Sequence, residues 1–277
     1  MTQLATLDPD AGFARFRQRL ADELFSHSVI VENRYCAWFA KGDLSHDDVA
    51  DFTRQFSVFS NQFLIAQTQR VINAASLDEM RAAKEILANE LGVVFRTRSP
   101  QAGTPVSDLD AELVGIEGTV DGGTFRFRAA HYEWLLHFAM PLGLGFSDLG
   151  RRAVGSPATL RFCDRLIELY GSDDFSASAG AGFAVENWAA AGFWKQLIAG
   201  LEAFNSLTGL DLNLGFFRWH DRIEDQHAAH TFAELHDLYF GPLPFDEDRF
   251  LAAGREMLDG VQVFWDGLDA DRLARRP

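Results

Sequence analysis

The amino-acid sequence predicts an all-α fold in which one irregular segment interrupts a series of helices. Apolar residues recur every three or four positions over most of the chain, as on the inner stripe of an amphipathic helix. Residues typical of helix starts and ends, such as Ser76 and Gly92, separate these stretches. The sequence has no internal repeat and no low-complexity stretch, so we expect residues 1–277 to form a single helical domain.

The composition limits the expected partners and the expected compartment. The chain has 277 residues, of which 47% are hydrophobic, and a formal net charge of -15. Because no Lys/Arg cluster follows any element, we expect binding to neither nucleic acid nor an anionic membrane. The two cysteines, Cys36 and Cys163, offer no disulfide framework. A secretory signal pattern and a membrane-spanning stretch are both missing, so we expect a soluble, cytoplasmic protein.

Three helices are predicted in the first third of the chain. The first covers about residues 11–26, and the second covers about 31–41 and stops at Gly42. Ser45 and Asp48 begin a long third helix. Its inner stripe consists of Val49, Phe52, Phe56, Phe59 and Phe63. We interpret this aromatic stripe as core packing, and the alternative is that it lines a substrate pocket.

A fourth helix leads into the irregular segment. Ser76 and Glu79 form a capping box at its start, and it ends at Gly92. Glu90 lies on the apolar stripe of this helix. Residues 93–128 then lack a helical pattern, and alternating residues near the turn at 121–123 predict a short β-hairpin or another ordered excursion. Because long loops in compact domains are usually functional, we expect an inserted loop or flap between two ligand-bearing helices.

Five helices are predicted after this segment. They are expected near residues 131–142, 157–171, 183–201, 216–240 and 250–268. His131 lies on the apolar face of the first of them, whereas His137 lies off that face. Gly180 and Gly182 are expected to precede the helix whose apolar stripe includes Glu186.

The segment Phe216–Phe240 carries the most distinctive pattern. His220, Glu224 and His227 follow one another at i, i+4 and i+7, within roughly 60° on one stripe of a helix. Farther along the helix this stripe becomes apolar. Two imidazoles and a carboxylate that face a core are unfavourable without a partner, and a divalent metal is such a partner. The alternative is a His-rich solvated helix, in which the other histidines of the segment belong to the same exposed set.

Six polar residues fall on predicted apolar faces of four helices. They are Glu90, His131, Glu186, His220, Glu224 and His227. Three carboxylates and three imidazoles suit two metal ions with open positions for a substrate or oxygen. The carboxylates offset most of the charge of two ferrous ions, and O/N ligation without thiolate favours iron or manganese over structural zinc. We therefore predict that these six residues are both the metal ligands and the catalytic residues.

In these residues the chain resembles the haem-oxygenase-like dimetal (di-iron) oxidases and oxygenases. That superfamily shares a seven-helix bundle with haem oxygenases and with thiaminase-II-type and PQQ-synthesis-type proteins. Its pattern is a Glu that ends one helix, a His early in the next, a later Glu, and then His-x3-Asp/Glu-x2-His. The last element reads His220-DRI-Glu224-DQ-His227 here. The earlier elements match Glu90 in ANELG, His131 in HYEWLLHF and Glu186 in AVENW, and the resemblance covers residues 30–240.

This sequence departs from the family pattern in two places. In the family the first His usually follows the Glu within a turn or two, whereas residues 93–128 intervene here. The assignment of His131 therefore requires the inserted segment to loop out. In addition, Glu224 replaces the more frequent Asp, which keeps a carboxylate but lengthens its arm.

The resemblance implies an iron-dependent oxidoreductase with two Fe(II) ions and O2 as co-substrate, acting on a small-molecule substrate. Known chemistries of the superfamily include decarboxylation of fatty acids to an alkene, C–C cleavage of amino acids and N-oxygenation of amines. Many such substrates carry a carboxylate that Arg218 or Arg222 could bind, although surface positions are the simpler interpretation for both. The use of an external electron donor and the formation of a homodimer are both possible on this resemblance.

Two other functions remain compatible with the sequence. A metal-free enzyme of the same fold, of the thiaminase-II type, usually relies on a nucleophilic cysteine or on a cofactor-shaped pocket, and Cys163 has no His neighbour in sequence. A non-enzymatic helical binding protein would leave three inward carboxylates without a counter-charge.

Overall fold

A computed structural model of the chain shows a bundle of α-helices with one small antiparallel sheet. The structure describes residues 9–94, 114–115 and 126–275, but not the side chains at 9, 94, 114–115, 126–128 and 223–233. The predicted all-α fold is confirmed. The helices are α1 (Pro9–Leu20), α2 (Ser28–Val31), α3 (Arg34–Phe39), α4 (His46–Ile72), α5 (Leu77–Glu90), α6 (His131–Ala139), α7 (Pro157–Tyr170), α8 (Phe175–Ala189), α9 (Phe193–Thr208), α10 (Gly215–Phe240) and α11 (Glu247–Arg275).

Short irregular helices complete the bundle. A π-helical turn, Ala21–Phe25, continues α1, and 3-10 turns lie at Met140–Leu142, Phe146–Asp148 and Arg152–Val154. Helix α11 packs against α7 and α8, and α4 packs against α5 and α7. Large aromatic side chains fill the space between these helices, and Phe56, Trp188 and Phe264 are almost fully buried there. Burial of such side chains stabilises the fold by about 1.5–3 kcal/mol each.

The predicted second helix is interrupted in the structure. Instead of one helix over residues 31–41, α2 ends at Val31 and α3 begins at Arg34. The side-chain oxygen of Asn33 accepts a hydrogen bond from the backbone N–H of Cys36 (3.0 Å). This N-cap starts a new helix and explains the break.

Helix α8 also differs from its prediction. Gly180 and Gly182 lie inside α8 rather than before it. A Cβ atom at Gly180 would overlap the carbonyl oxygen of Phe250 in α11, which explains a glycine at this helix position. The helix ends at Ala189, and Gly192, with φ +89°, separates it from α9. Gly180 therefore serves close helix packing, whereas a Cβ atom at Gly182 would meet the guanidinium of Arg70 at 3.1 Å. Glu186 lies in the last turn of α8.

A three-stranded sheet lies at the base of the predicted insertion. Its strands are β1 (Val93–Val94), β2 (Val114–Gly115) and β3 (Arg126–Arg128), in the order β1-β3-β2. The pairing of β2 with β3 is antiparallel, as the predicted hairpin requires. Residues 95–113 and 116–125 lie outside the described residues, so a flap over 93–128 and a single domain over 1–277 stay predictions. In the described part of the chain, no helix is long and apolar enough to cross a membrane.

Candidate metal centre

Three of the six predicted ligands meet where α5, α6 and α10 converge. Glu90 is the last residue of α5, His131 is the first of α6, and His220 lies in the second turn of α10. One ligand atom from each of the three lies within 4.8 Å of the other two. His131 is buried, and Glu90 and His220 are partly buried. The structure therefore brings together side chains that are far apart in the sequence.

Local structure determines where these two helices end and begin. Gly92, with φ +73°, terminates α5 just after Glu90. The Glu133 carboxylate accepts a hydrogen bond from the backbone N–H of Ala130 (2.9 Å), which favours a helix start at His131. Between these two ends, β1 pairs with β3 in the register Val93 to Phe127. The strand pair closes the base of the insertion and places Glu90 beside His131.

The contact between Glu90 and His131 is short but unusual. The Oε2 atom of Glu90 lies 2.8 Å from the Nδ1 atom of His131. The contact lacks the geometry of a hydrogen bond, and the buried Nδ1 atom has no other hydrogen-bond partner among the described residues. A buried ring nitrogen without a hydrogen bond is unfavourable, and a metal ion bound by both atoms would satisfy it.

His220 is held in an orientation suitable for a metal ligand. Its Nδ1 atom lies 2.7 Å from the carbonyl oxygen of Phe216. Because a carbonyl only accepts, Nδ1 must donate, and in the neutral ring the lone pair is on Nε2. Its ring stacks on Trp194 at 4.8 Å and lies 4.2 Å from the ring of Phe216. A backbone hydrogen bond behind a ligating imidazole is the usual arrangement at metal sites.

The distances fit one metal ion with nitrogen and oxygen ligands. Ligand atoms about 2.1 Å from an octahedral ion lie about 3.0 Å apart when adjacent and about 4.2 Å apart when opposite. The 2.8 Å between Glu90 and His131 matches adjacent ligands. The upper limit of 4.8 Å for the whole set exceeds the opposite distance by about 0.6 Å, so the three side chains would have to close slightly around a bound ion.

Glu186 lies in the same region but outside this three-residue set. It lines the same cavity as Glu90 and His220. It also interacts electrostatically with Arg70, whose guanidinium lies 4.7 Å from the ring centre of Tyr170. Burial acts to lower the pKa of Arg70, but its interactions with Tyr170 and Glu186 outweigh burial and raise that pKa. Arg70 therefore stays charged beside Glu186.

Glu224 and His227 cannot be placed. Their backbone belongs to α10, but their side chains lie outside the described residues. His236, farther along the same helix, is exposed, as the solvated-helix interpretation expected for the remaining histidines. His137 is also exposed, which agrees with its predicted position off the apolar face of α6. Ligation by Glu224 and His227 stays a prediction.

A cavity of about 290 Å³ extends from Glu90 and His220 between α4, α5, α8, α9 and α10. Seven aromatic side chains line it: Phe56, Phe59, Phe63, Trp188, Trp194, Phe216 and Trp219. Part of the aromatic stripe of α4 thus packs in the core, as predicted, and also lines a cavity. The alternative interpretation of the stripe was that it lines a substrate pocket. A ligand that fills the cavity would lie next to the three clustered residues.

Sequence reasoning missed several residues that shape the site. Trp194 and Trp219 contact the imidazoles, with ring centres 4.8 Å from His220 and 4.7 Å from His131, respectively. Trp219 directly precedes His220, so its position was a usable signal. Arg70 lies farther along the same stripe of α4. The sequence did not indicate its role, because its partners Tyr170 and Glu186 come from α7 and α8.

Both cysteines are buried away from this cluster. Burial raises the pKa of Cys163 to about 12 and raises the pKa of Cys36 well above its usual value. Neither residue lines the cavity beside Glu90. Both are therefore neutral thiols at physiological pH.

Comparison with known proteins identifies the fold. No family model matches the sequence, and no curated protein is significantly similar to it. Several solved structures are similar in shape. A TenA homolog from Pseudomonas syringae pv. tomato superposes with a TM-score of 0.64 and 12% identity, over 92% of this chain and 93% of that one. A CADD-like protein of unknown function from Nostoc punctiforme gives a TM-score of 0.58 and 17% identity, over 97% of both chains.

A third similar structure is described by its fold. A domain of unknown function with a haem-oxygenase-like fold from Shewanella denitrificans gives a TM-score of 0.58 at 14% identity, over 97% of this chain and 95% of that one. The chain therefore has the haem-oxygenase-like all-α fold. At these identities the comparisons establish the fold alone, and function has to be argued from the site.

Proposed function

We propose that this protein is a non-haem di-iron oxidoreductase, an oxidase or oxygenase that uses O2 to convert a small organic metabolite. The substrate would carry a carboxylate or an amine, as an amino acid or a fatty acid does. One observation carries the proposal: Glu90, His131 and His220 cluster together, and two of them, Glu90 and His220, line an aromatic cavity. Two imidazoles and one carboxylate form the ligand set of many non-haem ferrous oxygenases.

The residues would divide between two ions. Glu90, His131 and His220 would hold the first, and Glu186, Glu224 and His227 would contribute to the second. When bound, the two ferrous ions would supply O2 binding and electrons for its reduction. The three carboxylates would offset most of their charge in this partly buried place.

The chain's own residues supply orientation and shielding. The carbonyl of Phe216 holds a proton on Nδ1 of His220 and so directs the lone pair of Nε2 away from the backbone. Trp194 and Trp219 fix the two imidazole rings by direct contact. The aromatic walls limit access of water, which suppresses side reactions of activated oxygen.

The metal-free alternative receives less support. Its cysteine-dependent form calls for a reactive thiol, whereas Cys36 and Cys163 are buried neutral thiols with raised pKa values. A purely structural or binding role would leave the buried Nδ1 atom of His131 unexplained. Roles for an external electron donor and for a homodimer stay predictions.

The test is the iron content after anaerobic loading with ferrous iron and removal of the excess. We expect two irons per wild-type chain and iron-dependent O2 uptake. His131→Ala should lose iron, whereas His137→Ala, an exposed histidine of the same helix, should retain it. Folded wild-type protein without iron above background would overturn the proposal, and one iron per chain would restrict it to the set Glu90, His131 and His220.

A further inference from the structure

The cavity beside the three clustered residues combines aromatic walls with carboxylates. Besides Glu90 and Glu186, the carboxylate of Glu85 lines it, and no Lys or Arg side chain does so among the described residues. We propose that this cavity binds a small organic amine, with its ammonium group at Glu85 and its apolar part directed toward Glu90 and His220. Only one part of the inference rests on the proposed function, namely that the bound amine is the substrate.

The geometry of α5 gives the cavity an outer and an inner end. Glu85 and Asn89 are four residues apart and exposed, and Ile86 and Glu90 are four residues apart and partly buried. Residues at this spacing lie on one stripe of a helix. The exposed stripe therefore forms the mouth of the cavity, and the second stripe forms its interior. Glu85 lies about 7.5 Å from Glu90 along the helix axis.

The walls suit a cation with an apolar body. Phe59, Phe63 and Trp188 line the cavity, and Phe59 packs edge-on against Trp188 at 6.0 Å. Aromatic faces attract an ammonium group as well as apolar groups. A ligand can thus bury an alkyl or aryl chain here without losing favourable contacts for its charge.

In the metal-free protein, no Lys or Arg of the described residues lines the cavity for a carboxylate ligand to bind. Arg70 interacts with Glu186 of the lining, but its guanidinium lies over the Tyr170 ring. Arg218 forms an exposed ion pair with Glu202 (2.8 Å), so the sequence-based suggestion of a substrate anchor there is not supported. In the metal-free protein, an anion would instead meet the carboxylates of the lining, which is unfavourable. The net charge of -15 also favours the approach of cations.

The role of Glu85 follows from its position. It is not one of the six proposed ligands, and no cation of the described residues forms an ion pair with it. Its carboxylate at the mouth can hold a protonated amine outside the cluster. The apolar part of the ligand, rather than its nitrogen, would then lie beside Glu90 and His220.

The test compares three probes of one shape on the metal-free protein: 4-phenylbutylamine, 4-phenylbutyrate and 4-phenylbutan-1-ol. Titration calorimetry, supported by quenching of tryptophan fluorescence, should show the amine binding roughly tenfold more tightly than the carboxylate. Glu85→Gln should weaken amine binding about threefold to fivefold, the size of an exposed ion pair, and leave the alcohol unchanged. Glu85→Lys should weaken amine binding further.

A matched control and a separate measurement keep the outcomes distinct. Glu32→Gln, an exposed glutamate far from the cavity lining, should not change the affinity for any probe. Equal binding of amine and carboxylate, or amine binding that is unchanged in both Glu85 variants, would overturn this inference. Because the titrations need no iron, failure to load iron would contradict only the proposed function.

Discussion

Oε2 of Glu90 and Nδ1 of His131 lie 2.8 Å apart across the base of the predicted insertion. The predicted insertion, residues 93–128, lies between them in sequence. Val93 pairs with Phe127, so the two ends of this segment lie side by side. Two short paired strands thus bring these two residues together, although no continuous helix joins them. This relationship makes iron binding at this end of the cavity testable one residue at a time.

The first prediction concerns Glu90→Gln. Loss of the carboxylate should abolish the stabilisation that ferrous iron gives to the wild-type protein, with little change in the metal-free melting temperature. At an iron concentration 100-fold above Kd, that stabilisation is about 2.7 kcal/mol, or roughly 5–10 °C. Anaerobic thermal melts with and without iron measure it. Glu32→Gln, at an exposed residue outside the cavity lining, is the control, and equal iron-induced shifts in all three proteins would exclude Glu90 as a ligand.

The second prediction tests Glu224 and His227, the two predicted ligands whose side chains lie outside the described residues. Glu224→Asp, which restores the commoner residue of the resembling family, should retain two irons per chain and change mainly the reaction rate. Glu224→Ala and His227→Ala should each lose one iron while the protein stays folded. Iron analysis and circular dichroism of the three variants provide the measurements. Two irons in His227→Ala would contradict its assignment as a ligand.

The fold could be predicted because local signals encode it. Ser45 with Asp48 and Ser156 before Pro157 begin helices where expected, since capping depends on neighbouring residues. The clustering of Glu90 with His131 also needed the resemblance, because strand pairing across an insertion leaves no periodic signal. The roles of Arg70 and Gly180 depend on partners from other helices, which sequence spacing does not reveal.

The third prediction concerns the cysteines. Because the folded-state pKa of Cys163 is about 12, the folded protein retains its thiol proton where the unfolded chain, with a pKa near 8.5, has lost it. This contribution to stability is complete below about pH 8.5 and is lost as the pH rises toward 12. Cys163→Ala should therefore show a weaker fall in the free energy of unfolding between pH 8.5 and 10.

Alkylation provides an independent check on both thiols. Iodoacetamide at pH 8 should modify neither Cys36 nor Cys163 in the folded protein and both in denaturant, because only the thiolate reacts readily. Mass spectrometry of the intact protein counts the modifications. Rapid labelling of a folded-state cysteine would revive the metal-free alternative.

The fourth prediction concerns the insertion. Replacement of residues 97–123 by a short Gly-rich turn keeps β1 and β3 and hence the base that joins Glu90 to His131. If the segment acts as a flap, the variant should lose activity or metal affinity more than thermal stability. Full O2 uptake and full iron content would show that the segment serves neither function.

The last prediction concerns the packing that positions Glu186. Gly180 lies where α8 crosses α11, and a Cβ atom there would overlap the backbone of Phe250. Gly180→Ala should therefore destabilise the protein by about 1–3 kcal/mol, because the two backbones must separate. Gly260→Ala is the matched control, since the atoms nearest to its Cβ would be side-chain atoms of Arg165 and Phe162, at 3.3–3.5 Å. It should be neutral or more stable by up to about 1 kcal/mol, as for alanine in a helix interior.

Chemical denaturation and iron analysis of these two variants separate a packing effect from a general effect of alanine. A shift of α8 also moves Glu186 relative to α10, so Gly180→Ala should lower the affinity for the second iron more than for the first. The first set of ligands comes from α5, α6 and α10 and does not depend on α8. Equal stability of Gly180→Ala and Gly260→Ala would show that the close approach at Gly180 does not constrain the bundle. Equal loss of both irons would show that α8 does not position one metal separately from the other.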